Sequence, residues 1–369
     1  MKTYLVTGGA GFIGSNFIIY MLRKYGGRVK IVNLDSLTYA GNLENLKDVA
    51  GLPGYVFAKA DICDREAVGA ALDEHGADYV VHFAAESHVD RSIRNPEAFV
   101  RTNVLGTQAL LDAAMKRWEL PDGSFAPGRK FVHVSTDEVY GALGETGLFT
   151  EQTPLDPHSP YSASKAASDL IAKAYWDTYR FPVCVTRCSN NYGPRQFPEK
   201  LIPLLINNAL GGASLPVYGD GLQVRDWLYV EDHARAIDLV ASRGEPGEVY
   251  NIGGFNEQRN IDIARAVIKT LRGLLPDGDA RKGGVSESLI RHVADRKGHD
   301  RRYAIDSRKI SEALGWAPET AFADGLEKTV RWYVDNGEWV RNVTSGAYAE
   351  YYSEYYGAAA AQGGGLQSC

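Results

Sequence analysis

Tyr4-Leu5-Val6-Thr7-Gly8-Gly9-Ala10-Gly11-Phe12-Ile13-Gly14, followed by a run with helical apolar spacing from Ser15 to Tyr25, decides the fold class. The first four residues read as a short buried strand, and the glycines satisfy Gly-x-Gly-x-x-Gly at 9, 11 and 14. Such glycines permit a tight turn, close approach of backbone to a pyrophosphate, and tight packing of helix on strand. The helix start then offers free N–H groups and the positive end of its dipole to phosphate oxygens. A Gly-rich turn alone is weak. Here a strand precedes it, a helix follows, and a second strand, Lys30-Ile31-Val32-Asn33-Leu34-Asp35, ends in an acid at the spacing of a dinucleotide site. Asp35 would accept hydrogen bonds from the adenosine ribose and repel a 2′-phosphate, which favours NAD over NADP.

Working outward, Tyr55–Ala60 reads as a third strand, with Asp61 at its end where an adenine amine could be bound. Tyr79–Ala85 reads as a fourth, leaving through a polar loop, Glu86–Arg91. Asn95-Pro96 reads as a helix start, Asn capping and Pro in the first turn, with the helix running to about Trp118. Leu120–Arg129 is a surface loop, Lys130–Ser135 a buried strand and Val183–Arg187 a sixth. Strands alternating with helices predict an α/β fold with a doubly wound parallel Rossmann sheet. Past residue 187 the alternation weakens and Pro and Gly become frequent. The division expected is an NAD-binding domain over 1–187, with a strand near 248–252 a candidate to return to it. A smaller, discontinuous, mainly substrate-binding domain would cover 188–345, and a low-complexity tail 346–369.

The stretch from Ser135 to Lys165 carries the candidate chemistry. Thr136-Asp137-Glu138 stands at the carboxyl end of a predicted strand, where parallel sheets open onto ligands. Tyr161-Ser162-Ala163-Ser164-Lys165 opens an Ala-rich helix, so Tyr161 and Lys165 share a face. An ammonium beside a phenol favours the phenolate and lowers the Tyr pKa. Either feature alone has an ordinary explanation, a solvated pair or a helix cap. Together, behind the dinucleotide motif, they resemble an active site.

The 369 residues suit one large domain or two moderate ones. A net charge of −6 argues against non-specific nucleic-acid binding, yet leaves room for a few Arg and Lys around an anionic small molecule. The four cysteines show no Cys-x-x-Cys and no Cys/His cluster at metal-ligand spacing, so neither a metal nor a disulfide framework is expected. With no signal peptide and no apolar run of transmembrane length, the expectation is a reduced, cytoplasmic protein with no membrane partner.

With these motifs in place, the chain resembles the extended short-chain dehydrogenase/reductase family, through Thr7-Gly8-x-x-Gly11-x-x-Gly14 and Tyr161-x-x-x-Lys165. Within it, the chain is similar to the dTDP-glucose 4,6-dehydratases. That likeness rests on Asp35–Asn42, Ala84–Ser92, Ser135–Gly141, Arg187–Pro203, Arg225–Asp232 and Gly298–Tyr303, with Thr136-Asp137-Glu138 the most specific part. The resemblance implies conversion of dTDP-glucose to dTDP-4-keto-6-deoxyglucose and water, with bound NAD used and regenerated. Tyr161 would remove the C4 hydroxyl proton, Lys165 would assist it and bind the nicotinamide ribose, and Thr136 would hydrogen-bond near O4. Glu138 would be the base at C5, and protonated Asp137 the acid at the C6 hydroxyl.

By the same resemblance, NAD would lie on Gly8, Gly11, Phe12, Ile13 and Gly14, and on Asp35, Ser36, Leu37 and Thr38. Asp61, Ile62, Phe83, Ala84, Ala85, Ser87, Thr102 and Asn191 would complete that site with Tyr161 and Lys165. The sugar nucleotide would meet Ser87, His88, Thr136, Asn190, Glu199, Lys200, Leu201, Arg225, Asn260, Asp295 and His299, its thymine meeting Pro216 and Tyr218. Lys200 and Arg225 suit a diphosphate. The family also implies a homodimer, through the helix after Asn95 and the helix bearing Tyr161. Two other readings remain at this point: an epimerase or a dehydratase of UDP- or GDP-sugars, against which the acid pair counts in part, and a non-catalytic NAD-sensing module.

Overall fold

The computed structural model describes residues 1–295 and 299–344; the tail expected from residue 346, and Arg296-Lys297-Gly298, lie outside the described residues. The strands are β1 (Lys2–Thr7), β2 (Val29–Asp35), β3 (Tyr55–Lys59), β4 (Tyr79–His82), β5 (Lys130–Thr136) and β6 (Val183–Cys188). After them come β7 (Asn190–Tyr192), β8 (Leu215–Tyr218), β9 (Val224–Tyr229), β10 (Val249–Ile252), β11 (Glu257–Arg259) and β12 (Ile290–Val293). Seven of these form one sheet in the order β10-β6-β5-β4-β1-β2-β3. Its pairings are all parallel. The strands are continuous apolar runs because both faces are covered: neighbouring Leu5 and Val6 of β1 are each 0% exposed. One face packs on Phe17, Ile18 and Met21 of the helix Phe12–Tyr25, the other on Leu110, Leu111 and Ala114 of the helix Thr107–Trp118.

The strand order reverses between β1 and β4, and the crevice at such a reversal is where ligands bind in open parallel sheets. Thr7 and His82 close the two strands side by side, with Thr7 Oγ1 2.7 Å from His82 Nδ1. Beyond β6 the chain builds a second core around Tyr192, Leu205, Val217, Trp227, Val267 and Val330. It nevertheless returns β10 to the main sheet, beside β6. Two small sheets, β11-β9-β7 and β12-β8, frame that second core.

Local readings needed correction. β4 ends at His82, and the segment read as a polar loop enters a helix, Val89–Arg94. Asn95 makes no side-chain cap, because the chain is already helical before it. The helix expected to run unbroken to Trp118 passes instead through a π-helical stretch, Val100–Gly106. That stretch faces Asn103 inward. Its side chain bonds the Glu86 N–H at 2.8 Å and the Glu86 carbonyl at 3.0 Å, pinning the exit of β4. Among the described residues no helix is long and apolar enough to cross a membrane.

Candidate active site

Three adjoining cavities of about 180, 260 and 100 Å3 lie along the carboxyl ends of β1, β2, β4, β5 and β6. Gly11, Ala40 and Ala85 line both the second and the third, and Glu138, Glu199 and Lys200 both the first and the second, so the three form one cleft.

The third cavity is built on the glycine turn. Gly8 has φ +70°, and a Cβ there would lie 2.6 Å from the Ala84 nitrogen. A Cβ on Gly14 would lie 2.4 Å from the Gly8 carbonyl oxygen. Both positions therefore need glycine for close packing of the turn. No side chain caps the helix that begins at Phe12, which leaves its first N–H groups for a ligand. Asp35, Ser36, Thr38, Asp61, Ile62, Ala84 and Thr102 line the same cavity. The Asp35 carboxylate is held by the Ala10 N–H at 2.9 Å and the Leu37 N–H at 2.8 Å. The shaped turn, the uncapped helix start and the fixed carboxylate fit a dinucleotide. Gly14 and Leu37 do not line the cleft; they shape the turn and hold Asp35.

The second cavity collects the candidate reacting groups. Phe12, Ile13, Phe83, Thr136, Asp137, Glu138, Tyr161, Lys165 and Asn191 line it. Thr136 ends β5 and caps a short turn, Asp137–Tyr140, by accepting the Glu138 N–H at 3.3 Å. Tyr161 and Lys165 come from the helix Pro160–Tyr179, whose start is fixed by a reciprocal Ser159/Ser162 capping box with Pro160 in its first turn. Asp137 is 1% exposed, and its Oδ2 has no hydrogen-bond partner. Burial, with the charge of Glu138 next, pushes its carboxyl well above the ordinary carboxylate range, so it stays protonated. Lys165 is 4% exposed, and burial lowers its ammonium to about 8. Its Nζ donates to the Val134 carbonyl at 2.9 Å.

One electrostatic expectation is reversed. Burial, and then the charge of Glu138, raise the Tyr161 phenol well above its ordinary value, while a hydrogen bond with Thr136 pulls the other way. Lys165 is engaged at Val134 and does not lower it in this arrangement.

The first cavity takes Ser87, His88, Asn190, Glu199, Lys200, Leu201, Pro216, Tyr218, Arg225, Asn260 and His299. Thr136 stays on the second cavity only. Asp295 is not on the wall; it bonds His299 at 2.6 Å and Gln223 at 3.0 Å, and so acts through them. Lys200 Nζ donates to the Ser87 carbonyl at 3.0 Å. Arg225 is 8% exposed, with its guanidinium 4.2 Å from the centre of the Tyr303 ring. Three buried side-chain carbonyl oxygens on this wall, Asn190 Oδ1, Gln196 Oε1 and Asn260 Oδ1, have no partner among the described residues. Gln196, Trp227 and Tyr303 also line the cavity and were not singled out. They lie inside the motif runs 187–203, 225–232 and 298–303, but an amide or a ring carries no chemical signal of its own. Ser159, the cap of the Tyr161 helix, lines the cavity too; a serine before a proline reads in sequence only as a helix start.

The comparisons with known proteins agree. A family profile described as GDP-mannose 4,6 dehydratase matches residues 5–329. A dTDP-glucose 4,6-dehydratase of Xanthomonas campestris pv. campestris (strain B100) is 53% identical over 94% of this chain and 97% of its own. A solved dTDP-glucose 4,6-dehydratase of Bacillus anthracis, in complex with NAD, is 49% identical, with TM-score 0.82 over 93% of this chain and all of the other. One from Streptomyces venezuelae, also with NAD bound, is 48% identical, with TM-score 0.84 over 92% of this chain and 99% of its own. With its doubly wound sheet, glycine turn and acid pair facing a Tyr-x-x-x-Lys helix, the chain belongs to the dTDP-glucose 4,6-dehydratases of the extended short-chain dehydrogenase/reductase family.

Proposed function

We propose that this protein is an NAD-dependent hydro-lyase that converts dTDP-glucose to dTDP-4-keto-6-deoxyglucose and water. The observation that carries the reading is the acid pair. Asp137 and Glu138 stand one residue apart in the cavity that also holds Tyr161 and Lys165. An epimerase has no use for a second acid and base; elimination of water needs both.

Gly8, Gly11 and the helix start at Phe12 would hold the pyrophosphate of NAD, and Asp35 its adenosine ribose. NAD, when bound, supplies a reversible hydride acceptor and a positive ring. Tyr161 takes the proton of the C4 hydroxyl; for this its raised phenol must ionise, and Lys165 supplies the charge that favours the phenolate once its ammonium leaves the Val134 carbonyl. The C4 ketone acidifies the hydrogen at C5, and Glu138 removes it. Asp137, kept neutral by burial, gives its proton to the C6 hydroxyl, which leaves as water. The hydride removed from C4 would then return to C6 while Glu138 gives its proton back to C5, which completes the 4-keto-6-deoxy sugar with no external reductant. Two adjacent carboxyl groups in unlike surroundings divide acid and base between them. Lys200 and Arg225 neutralise the diphosphate in the first cavity, with Asn190 and Asn260 ready to accept from donors on the ligand.

We also read the protein as a homodimer working in the cytoplasm. Val100, Leu105, Leu170 and Tyr179, each about half exposed or more, lie on the two helical segments expected at a subunit contact. Cys63, Cys184 and Cys188 are free thiols, as suits a reducing compartment.

The test is to incubate the purified protein with dTDP-glucose and no added NAD. A product lighter by one water supports both the activity and a retained cofactor. Unchanged dTDP-glucose, with NAD then supplied, would count against the reading.

A further inference from the structure

The reaction proposed above, on which this inference rests, needs two pairs of groups in one register. Asp137 and Glu138 sit on the turn after β5; Tyr161 and Lys165 sit on the helix Pro160–Tyr179. A sealed polar chain that neither pair uses joins these elements. Arg187 of β6, 6% exposed, donates from Nε to Asp169 Oδ2 at 2.8 Å and from Nη1 to the Tyr140 hydroxyl at 2.9 Å. Asp169 lies one helical turn beyond Lys165, and Tyr140 is the last residue of the Asp137–Tyr140 turn. The Tyr140 hydroxyl donates in turn to Asn251 Oδ1 of β10 at 2.8 Å. His133 of β5 lies 3.3 Å from the other Asp169 oxygen.

A buried ion pair is seldom the cheapest way to stabilise a core, since apolar side chains of similar volume do as well. Its use here is geometric. The planar guanidinium directs its donors along fixed lines, and one side chain spends two of them on two different elements. We infer that Arg187 is a positioning residue that ties the Lys165 helix to the Asp137–Glu138 turn, and that the Asp169 carboxylate at the end of this tie sustains the charge of Lys165.

Lys165 is faced by Asp169 and Tyr161 from its own helix, by His82 from β4, by His133, Asp137 and Glu138 from β5 and the turn after it, and by Cys188 from β6. Burial makes His133 neutral near pH 7, lowering it to about 4, and raises the Cys188 thiol. Asp169 is held ionised despite burial by His133, 3.3 Å away, and by the charge of Arg187, which donates to it. Its charge is thus the first to support the Lys165 ammonium against burial.

Two variants separate the tie from simple packing, measured on holoenzyme with dTDP-glucose and normalised to folded protein by near-ultraviolet circular dichroism. Asp169→Asn removes the charge, so the alkaline limb of kcat/KM should move to lower pH by about one unit. Tyr140→Phe removes one hydroxyl and leaves the charge. It should lower kcat about tenfold or more, with KM changed less than about twofold and the alkaline limb in place, since small misplacements of reacting groups are costly. A role confined to packing would lower the melting temperature of both variants and leave kcat and the limb of the folded enzyme unchanged; that result overturns the inference. If Asp169→Asn does not fold, an unchanged kcat in Tyr140→Phe overturns it alone. Failure of the dehydratase reading would appear separately, as a wild type that releases no water from dTDP-glucose.

Discussion

Asp137 and Glu138 are neighbours in sequence, yet only Asp137 is fully sealed, and that difference assigns their roles. Glu138→Gln and Asp137→Asn each remove one acid–base group while leaving Tyr161 and Lys165 in place. Water loss should fall about 10²–10⁴-fold in each. Tyr161→Phe should abolish oxidation at C4 and elimination together. In D2O the wild-type product should carry solvent deuterium at C5, whereas a label placed at C4 of the sugar should appear at C6. Product mass and deuterium NMR read both. Wild-type water loss by Glu138→Gln would refute the base assignment. A stability measurement checks Asp137 independently of turnover. Its folded pKa lies above the unfolded value of 3.8, so folding near neutral pH takes up a proton, and this cost grows as pH rises above that value. Asp137→Asn removes the cost. The variant should melt higher than wild type at pH 7, and the gain should vanish near pH 3. A lower melting temperature at pH 7 would show that Asp137 is not held neutral.

The cleft is assembled by element ends, and these differed in how well the sequence announced them. The β1 turn and helix were legible because glycine spacing, an apolar strand and a distant acid all pointed one way. The Tyr161 helix was legible through Pro160 and its Ala-rich run. The π-helical stretch Val100–Gly106 was not, because its residues have ordinary helical composition and Asn103 departs from it only through long-range bonds to Glu86. The raised Tyr161 phenol was equally hidden. Spacing puts Tyr161 and Lys165 on one face, but the Val134 carbonyl that takes the Lys165 ammonium belongs to another element. A third such contact joins the start of this helix to the rim of the first cavity: His158 Nδ1 and Asp300 Oδ1 are 2.6 Å apart. The hydrogen bond with Asp300 raises the His158 pKa above 6.5. Its stabilisation should therefore be complete below pH 6.5 and disappear as pH rises through the higher folded value. His158→Gln should lower the melting temperature at pH 5.5 and have little effect at pH 9. Equal effects at both values would show that the contact does not depend on charge.

At the scale of the molecule, the parallel sheet follows from alternating elements, and its open edge of β-strand ends dictates where the ligands go. The second core was harder to read, since its three- and four-residue strands carry too little periodicity to register. The helices proposed at a subunit contact show a further limit of composition. On these two helices Ala109, Leu110, Ala113, Ala114 and Ala166 are buried within the subunit and are not available to a partner. The outward face of the helix Pro160–Tyr179 keeps Ala163, Leu170 and Ala174 exposed, with Ala167 partly so, a stripe at helical spacing. Leu170 is 59% exposed there, and Val100 and Leu105 on the neighbouring segment are 50% and 56% exposed. Apolar side chains of this size, gathered on two packed helical segments, are better explained by a partner than by water. Light scattering at micromolar concentration should therefore give twice the 40.4 kDa chain mass. Leu170→Glu places a charge in the middle of the stripe, where burial without a partner is costly, and should shift the population toward monomer. A wild type that scatters as a monomer would remove the dimer. A Leu170→Glu variant that stays dimeric would move the interface to another face.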